Sequence, residues 1–208
     1  LLLHPKSREA FEESKKYMPG GNTRTVLFHT PFPLRIQSGS VNRVTDADGN
    51  QYINLLGEYT AGLFGHSNPV IRKAIDAALD RGLNLSGHNP DEITLAKLVC
   101  ERFPSIENVR FTNSGTEANL LAISAARHHT SRNKVMVFEG GYHGGLLYFG
   151  GGGIPINAPF DYVIAPYNDI ENTKKLIERY GDELACVLVE PMQGSAGCIP
   201  GKHEFLAM

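Results

Sequence analysis

No apolar run in this sequence approaches the ~20 residues that a membrane-spanning helix needs. The leading Leu1-Leu2-Leu3 is too short for the apolar part of a signal peptide, and polar residues follow it at once. Cysteine is scarce: Cys100, Cys186 and Cys198 make an odd count, and no C-x-x-C pair occurs. That pattern indicates neither a disulfide framework nor a zinc knuckle. Neither sign of charge is in excess, with 20 Lys+Arg against 22 Asp+Glu and a formal net charge of -2. Proteins that grip nucleic acid or a membrane surface usually carry a strong basic bias. The expectation is a soluble, cytoplasmic protein with no nucleic-acid, membrane or metal partner. No internal repeat is present, and Gly150 to Gly153 is the one low-complexity spot, expected as a flexible loop.

What is there suffices for a sizeable core: 208 residues, 41% of them hydrophobic, enough for one large domain or a domain plus a lobe. Both ends read as cut. Residue 1 is Leu, and KHEFLAM stops in what reads as the opening turn of a helix, without a cap or polar tail. Residues 5 to 18 read as a helix stopped by Pro19-Gly20-Gly21. Between 33 and 56, apolar residues flank the turn Asp46-Ala47-Asp48-Gly49-Asn50, which predicts a hairpin. A calcium loop fails at the same turn, because its twelfth position is Gly57 where Glu is required.

Beyond Gly65 the pattern alternates. Val70, Ala74, Ile75, Ala78 and Leu79 mark one face of a helix, and Ile93, Ala96, Leu98 and Val99 a second helix opened by Asn89-Pro90-Asp91. Val109 to Phe111 reads as a short strand. Residues 116 to 129 read as a helix with Ala118, Leu121, Ala122 and Ala125 inward. Strands are expected at 134–138, 161–165 and 184–190, and a helix at 169–180. The near-continuous apolar character of the strands suits a mostly parallel α/β sheet covered on both faces.

Three stretches carry ligand-suited chemistry at expected strand ends. In FTNSGTEANL a helix begins near Thr116, where backbone N–H groups lack internal partners and the dipole is positive. Ser114 and Thr116 add hydroxyls and Gly115 opens the backbone, a way to hold phosphate without lysine. Neither G-x-x-x-x-G-K-[ST] nor a G-x-G-x-x-G after a strand is present. A plain helix cap with Glu117 nearby accounts for the same residues. GGYHGG, 140 to 145, puts Tyr142 and His143 between glycines just past a strand, where an aromatic ring can lie against a planar ligand. VEPMQG places Glu190 at the end of another strand.

Taken in order, PGGNTRTV, TDADGNQYINLLGEYTAGLFGHSNPVIRKAI, RFTNSGTEANLLAISAAR, VFEGGYHGG and VLVEPMQGSAGCIPG resemble the class III, fold-type I aminotransferases that use pyridoxal phosphate. The likeness is greatest to glutamate-1-semialdehyde aminomutases and β-amino acid (β-phenylalanine type) transaminases. The resemblance implies an α/β fold. Residues 1–60 would form an N-terminal helix-and-hairpin lobe. Residues 61–208 would be the first part of the large, mostly parallel-sheet domain. It implies that Ser114, Gly115 and Thr116 form a phosphate cup, that Tyr142 stacks on the pyridine ring with His143 beside it, and that Glu190 orders the site. It implies that Arg24 grips a substrate carboxylate by its planar fork, with Glu58 and Tyr59 lining the substrate entrance; an exposed loop cation is the other reading of Arg24. His66 reads as structural, beginning the next helix, and His128 and His129 as helix-end surface residues.

The family's Schiff-base lysine and the aspartate on the pyridine nitrogen have no match here, and the resemblance places both beyond Met208. The expectation is therefore the N-terminal portion of a homodimeric enzyme that moves an amino group between an amino acid and a 2-oxo acid. This chain alone would be inactive. An aminomutase is the alternative, and a catalytically inert phosphate-binding or partner-pairing domain is the alternative of another class.

Overall fold

The computed structural model describes residues 4–208; the run Leu1-Leu2-Leu3 lies outside the described residues. The chain forms two compact units that divide between Glu92 and Ile93.

The first unit opens with helix α1 (Pro5–Ser14), started by a proline in its first turn. Strands β1 (Ile36–Ser40), β2 (Arg43–Asp46) and β3 (Gln51–Ile53) follow and pair antiparallel in sequence order. The expected hairpin is the β2–β3 pair, and β1 extends it to a three-stranded meander. The acidic turn between β2 and β3 is a clasp. Asp46 is fully buried. Its Oδ1 accepts from the amides of Asp48 (3.0 Å) and Asn50 (2.8 Å), and its Oδ2 from the Tyr52 hydroxyl (2.8 Å), with His4 Nδ1 at 3.1 Å. Asp48 accepts from the amides of Lys6 and Ser7, which ties α1 to the turn. His4, Asp46 and Asp48 could bring three ligand atoms within 4.8 Å of one another. Their carboxylate oxygens are already taken by these donors.

Helix α2 (Pro69–Asp80) is capped by the Asn68 side chain, which accepts from the amides of Val70 and Ile71. Helix α3 (Pro90–Arg102) follows after a loop and straddles the division. The apolar faces read from the sequence exist on both helices, yet neither carries a buried residue among the described residues. The segment after β3 folds back on the meander: His66 exchanges backbone hydrogen bonds with Val41 (2.8 and 3.0 Å), and Ser67 donates to the Gly39 carbonyl.

The second unit is a three-stranded parallel sheet. Its strands are β4 (Lys134–Phe138), β5 (Asp161–Ala165) and β6 (Leu184–Val187), in the order β5-β4-β6. β4 lies in the middle and alternates between two cores. Met136 and Phe138 pack with Val163, Leu184 and Phe205 on one face. Val135 and Val137 pack with Ile123, Leu147 and Phe149 on the other. Burial on both faces is what made the strand apolar throughout. Helix α4 (Gly115–Thr130) contributes to the second core, and α5 (Ile170–Tyr180) to the first through Ile170, Leu176 and Tyr180. Strands β7 (Met192–Gln193) and β8 (Ile199–Pro200) form a small hairpin before the short helix α6 (His203–Leu206), which seats Phe205 in the first core.

Three expectations are corrected. Val109 to Phe111 is not a strand, because no described strand pairs with it. The inward positions of α4 are Leu120 and Ile123; Leu121 is 45% exposed, since the helix meets the sheet about one residue further round than its alanines suggest. Gly150 to Gly153 is a tight 3-10 turn closed by the Gly153 amide on the Gly150 carbonyl (3.2 Å), with three residues at positive φ that glycine adopts freely.

Burial works to raise the Asp46 carboxyl, but hydrogen bonds from Asn50, Tyr52 and Asp48 outweigh it and hold the group well below the usual carboxylate range. A carboxyl held below its unfolded value of about 3.9 contributes fully above that pH and loses its contribution as pH falls further. Asp46→Asn should therefore cost about 1–3 kcal/mol of stability at pH 7. Its deficit against the wild type should hold in urea unfolding down to about pH 4 and shrink progressively as pH falls below that value. A deficit that stays constant would show that the charge is not what the clasp uses.

Candidate functional site

The first turn of α4 is built to leave donors open. Ser114 is its cap: the backbone there is extended, and Oγ accepts from the Glu117 amide at 3.1 Å. Glu117 reaches back and accepts from the Asn113 amide at 2.8 Å, a variant of the capping box. Among the described residues no acceptor takes the amides of Gly115 and Thr116. A Cβ on Gly115 would meet nothing within 4 Å, so this glycine leaves space above the turn. An open depression of about 500 Å³ runs beside these turns, lined by Arg110, Ser114, Thr116, Glu117, Leu120, Leu121 and Ser124. The plain cap and the anion site are thus compatible. The Ser114 hydroxyl serves the cap as acceptor and keeps its own proton to donate.

The loop that follows β4 is fastened to this helix. Thr116 Oγ1 accepts from the Gly145 amide at 3.1 Å, and the Asn119 side chain donates to the His143 carbonyl at 2.8 Å. Gly144 sits at φ +124 with its α-carbon against Thr116; an added Cβ would lie 2.2 Å from Oγ1. Tyr142 is 49% exposed, its ring edge-on to Tyr148 at 5.9 Å. His143 is buried, and its ring tilts against Phe149. Burial pushes its imidazole below the ordinary value, and the nearby Glu190 charge only partly opposes this. The ring is neutral at pH 7.

Glu190 closes the arrangement from the loop after β6. Its Oε1 accepts from the Tyr142 amide at 2.8 Å and its Oε2 from the Gly194 amide at 3.0 Å. The backbone carbonyl of Glu190 accepts from the Tyr167 hydroxyl at 2.7 Å, in the loop after β5. Beside it, the buried Gln193 donates to the Glu139 carbonyl at 2.8 Å. All these contacts lie at the carboxyl edge of the parallel strands, where ligands bind in open α/β sheets. Sequence reasoning missed Asn119 and Gln193. Asn119 had a signal, three residues after Thr116 and so on the same helix face; Gln193 had none beyond its place in VEPMQG.

Arg24, Glu58 and Tyr59 belong to the first unit. Arg35 holds the loop before Arg24 by donating to the Gly21 carbonyl (3.2 Å) and to Ser14 Oγ. Arg24 Nη2 meets Glu58 Oε2 at 2.9 Å. Glu58, Tyr59 and Thr60 all have positive φ, at 49, 54 and 81°. Left-handed backbone at a non-glycine residue costs about 1–3 kcal/mol and clusters at functional sites. Asn54 staples the strained turn, its Oδ1 accepting from the amides of Leu56 and Gly57 (2.9 and 3.1 Å) while Nδ2 lies 2.9 Å from His66 Nε2. His66 is thus structural, as read, but it supports this turn rather than opening α2.

The model of the class-III aminotransferases matches residues 28–149, more than half of the chain. The chain belongs to that family. Within the class-III aminotransferases it is similar to the beta-phenylalanine transaminase of Variovorax paradoxus, at 55% identity over 98% of this chain and 47% of that protein. A crystal structure of a beta-phenylalanine aminotransferase from the same organism superposes with a TM-score of 0.96 over 99% of this chain and 48% of the other. Glutamate-1-semialdehyde 2,1-aminomutase of Clostridium novyi is 38% identical over 99% of this chain and 51% of its own length. A transaminase solved with PLP bound superposes at a TM-score of 0.91 and 33% identity, covering all of this chain and 52% of the other. The chain therefore has the fold-type I α/β architecture expected of it, and it spans about half the length of the relatives it matches.

Glu190→Gln keeps the shape of the side chain and removes its charge. The amides of Tyr142 and Gly194 should then exchange with solvent deuterium roughly tenfold faster, since bonds to a charged acceptor are the stronger kind. Unchanged exchange at both amides would show that the carboxylate is not what holds the loop.

Proposed function

We propose that this chain supplies the phosphate and ring side of a pyridoxal-phosphate site in an aminotransferase. The observation that carries this reading is the open first turn of α4. Two unclaimed amides, a free hydroxyl proton on Ser114 and the space above Gly115 fit a phosphate dianion at a positive helix end. The half-exposed Tyr142 ring, pinned at its backbone by Glu190, offers a flat apolar face for a pyridine ring. Bound there, the cofactor would supply the electron sink for loss of a proton from the carbon that bears the amino group.

In this reading Ser114 and the amides of Gly115 and Thr116 bind the phosphate. Thr116 also holds the Tyr142 loop, and Glu190 orients it. The neutral His143 packs the loop instead of carrying a proton. Arg24 grips the substrate carboxylate at the mouth formed with Glu58 and Tyr59. None of the chain's own lysines is assigned to proton transfer. The substrates are an amino acid, of the β-amino type by likeness to the Variovorax protein, and a 2-oxo acid acceptor. The enzyme works as a homodimer in the cytoplasm. Among the described residues no helix is long and apolar enough to cross a membrane. Likeness to the Clostridium protein keeps an intramolecular amino transfer as the second reading.

The test uses the protein as its natural source makes it. Mixed with 3-amino-3-phenylpropanoate and a 2-oxo acid, it should form the oxo product and the new amino acid together. Isomerisation of a single substrate without any exchange would favour the mutase instead. Ser114→Ala should weaken retention of pyridoxal phosphate by about 1.5–3 kcal/mol, the worth of one hydrogen bond to a charged group, in equilibrium dialysis. Equal retention would remove Ser114 from the phosphate site.

A further inference from the structure

The guanidinium proposed to take the substrate carboxylate already holds a carboxylate. Arg24 Nη2 donates to Glu58 Oε2 at 2.9 Å, and among the described residues this is the one acceptor its side chain meets. The contact is single-toothed, although a guanidinium can present two parallel N–H groups to one carboxylate. Both partners are substantially exposed, Arg24 by 53% and Glu58 by 42%. Exposed pairs of this kind stabilise little and open readily. The position of Glu58 is nevertheless specified with care. It lies in the left-handed run from Glu58 to Thr60 that Asn54 staples from below. A residue that served only solubility would need neither the strained backbone nor the staple.

We infer that Glu58 tunes the affinity for acids: its carboxylate sits on Arg24 as an internal stand-in, and a ligand carboxylate must displace it. This rests on the reading of Arg24 given under Proposed function. An incoming carboxylate that engages two N–H groups makes the stronger, charge-assisted contact, so the exchange favours acids. A neutral ligand cannot displace Glu58 and leaves Arg24 paired. The pair therefore sets how tightly an acid binds while keeping the arginine neutralised when no acid is bound. Acid affinity would then be a difference between two carboxylates competing for one cation.

The experiment measures binding by calorimetry to the natural full-length protein carrying its cofactor. The probes are 3-phenylpropionate, a carboxylate with no amino group to react, and its neutral amide. Glu58→Gln should tighten 3-phenylpropionate about two- to fivefold, the scale of an exposed ion pair, and should not tighten the amide. Glu58→Asp, one methylene shorter, should fall between wild type and Gln. In an Arg24→Ala background, which itself weakens the acid, the gain from Glu58→Gln should vanish. If Arg24→Ala weakens the acid but Glu58→Gln does not tighten it, Arg24 is the grip and the stand-in is overturned. If Arg24→Ala leaves the acid unaffected, the reading of Arg24 fails and the stand-in fails with it. Equal tightening of acid and amide would also overturn it, because a steric effect would then explain the gain.

Discussion

Two hydrogen bonds to one carboxylate organise the carboxyl edge of the parallel sheet. Glu190 accepts from the amide of Tyr142 and the amide of Gly194, and so joins the loop after β4 to the loop after β6. The loop after β4 is then clamped from its other side by α4, through Thr116 and Asn119. The central strand β4, buried on both faces from Val135 to Phe138, fixes where that loop begins. The carboxylate adds to the backbone bonds that tie this glycine-flanked loop to Leu147 and Phe149, and so helps to fix the aromatic ring. The helix supplies positive electrostatic potential, and the loop supplies a ring held at a set place beside it.

The first unit shows the same logic with different chemistry. A buried aspartate, Asp46, gathers the donors of a five-residue turn and the start of α1. Asn54 does a parallel task one strand later, where its carbonyl takes two amides of the turn that carries Glu58. In both places a short polar side chain fixes backbone that regular structure leaves unpaired. That is how an exposed, irregular segment holds Glu58 in a defined position.

Much of this was legible from the residues. The three parallel strands of the second unit were readable because each is a short apolar run between turn residues, and β4 and β5 have the bounds that the pattern gave. Helices opened by Asn68-Pro69 and Asp169 carry the caps that their types promise. The site's principal residues were marked by glycines around polar or aromatic side chains. What escaped was set by tertiary context. Val109 to Phe111 has strand-like residues but no partner strand, and propensity does not supply one. The face of α4 was misread by a residue because its many alanines blur the apolar stripe; Ile123 decides it by size. Asn119 and Gln193 act through backbone carbonyls far away in sequence, and no local motif announces such bonds.

The central claim is that the first turn of α4 holds a phosphate. The most direct measurement is a crystal structure of the natural protein grown with pyridoxal phosphate. The account predicts the phosphate within hydrogen-bond distance of the amides of Gly115 and Thr116 and of the Ser114 hydroxyl, with the pyridine ring against Tyr142. A phosphate bound elsewhere, with those amides still facing open space, would contradict it.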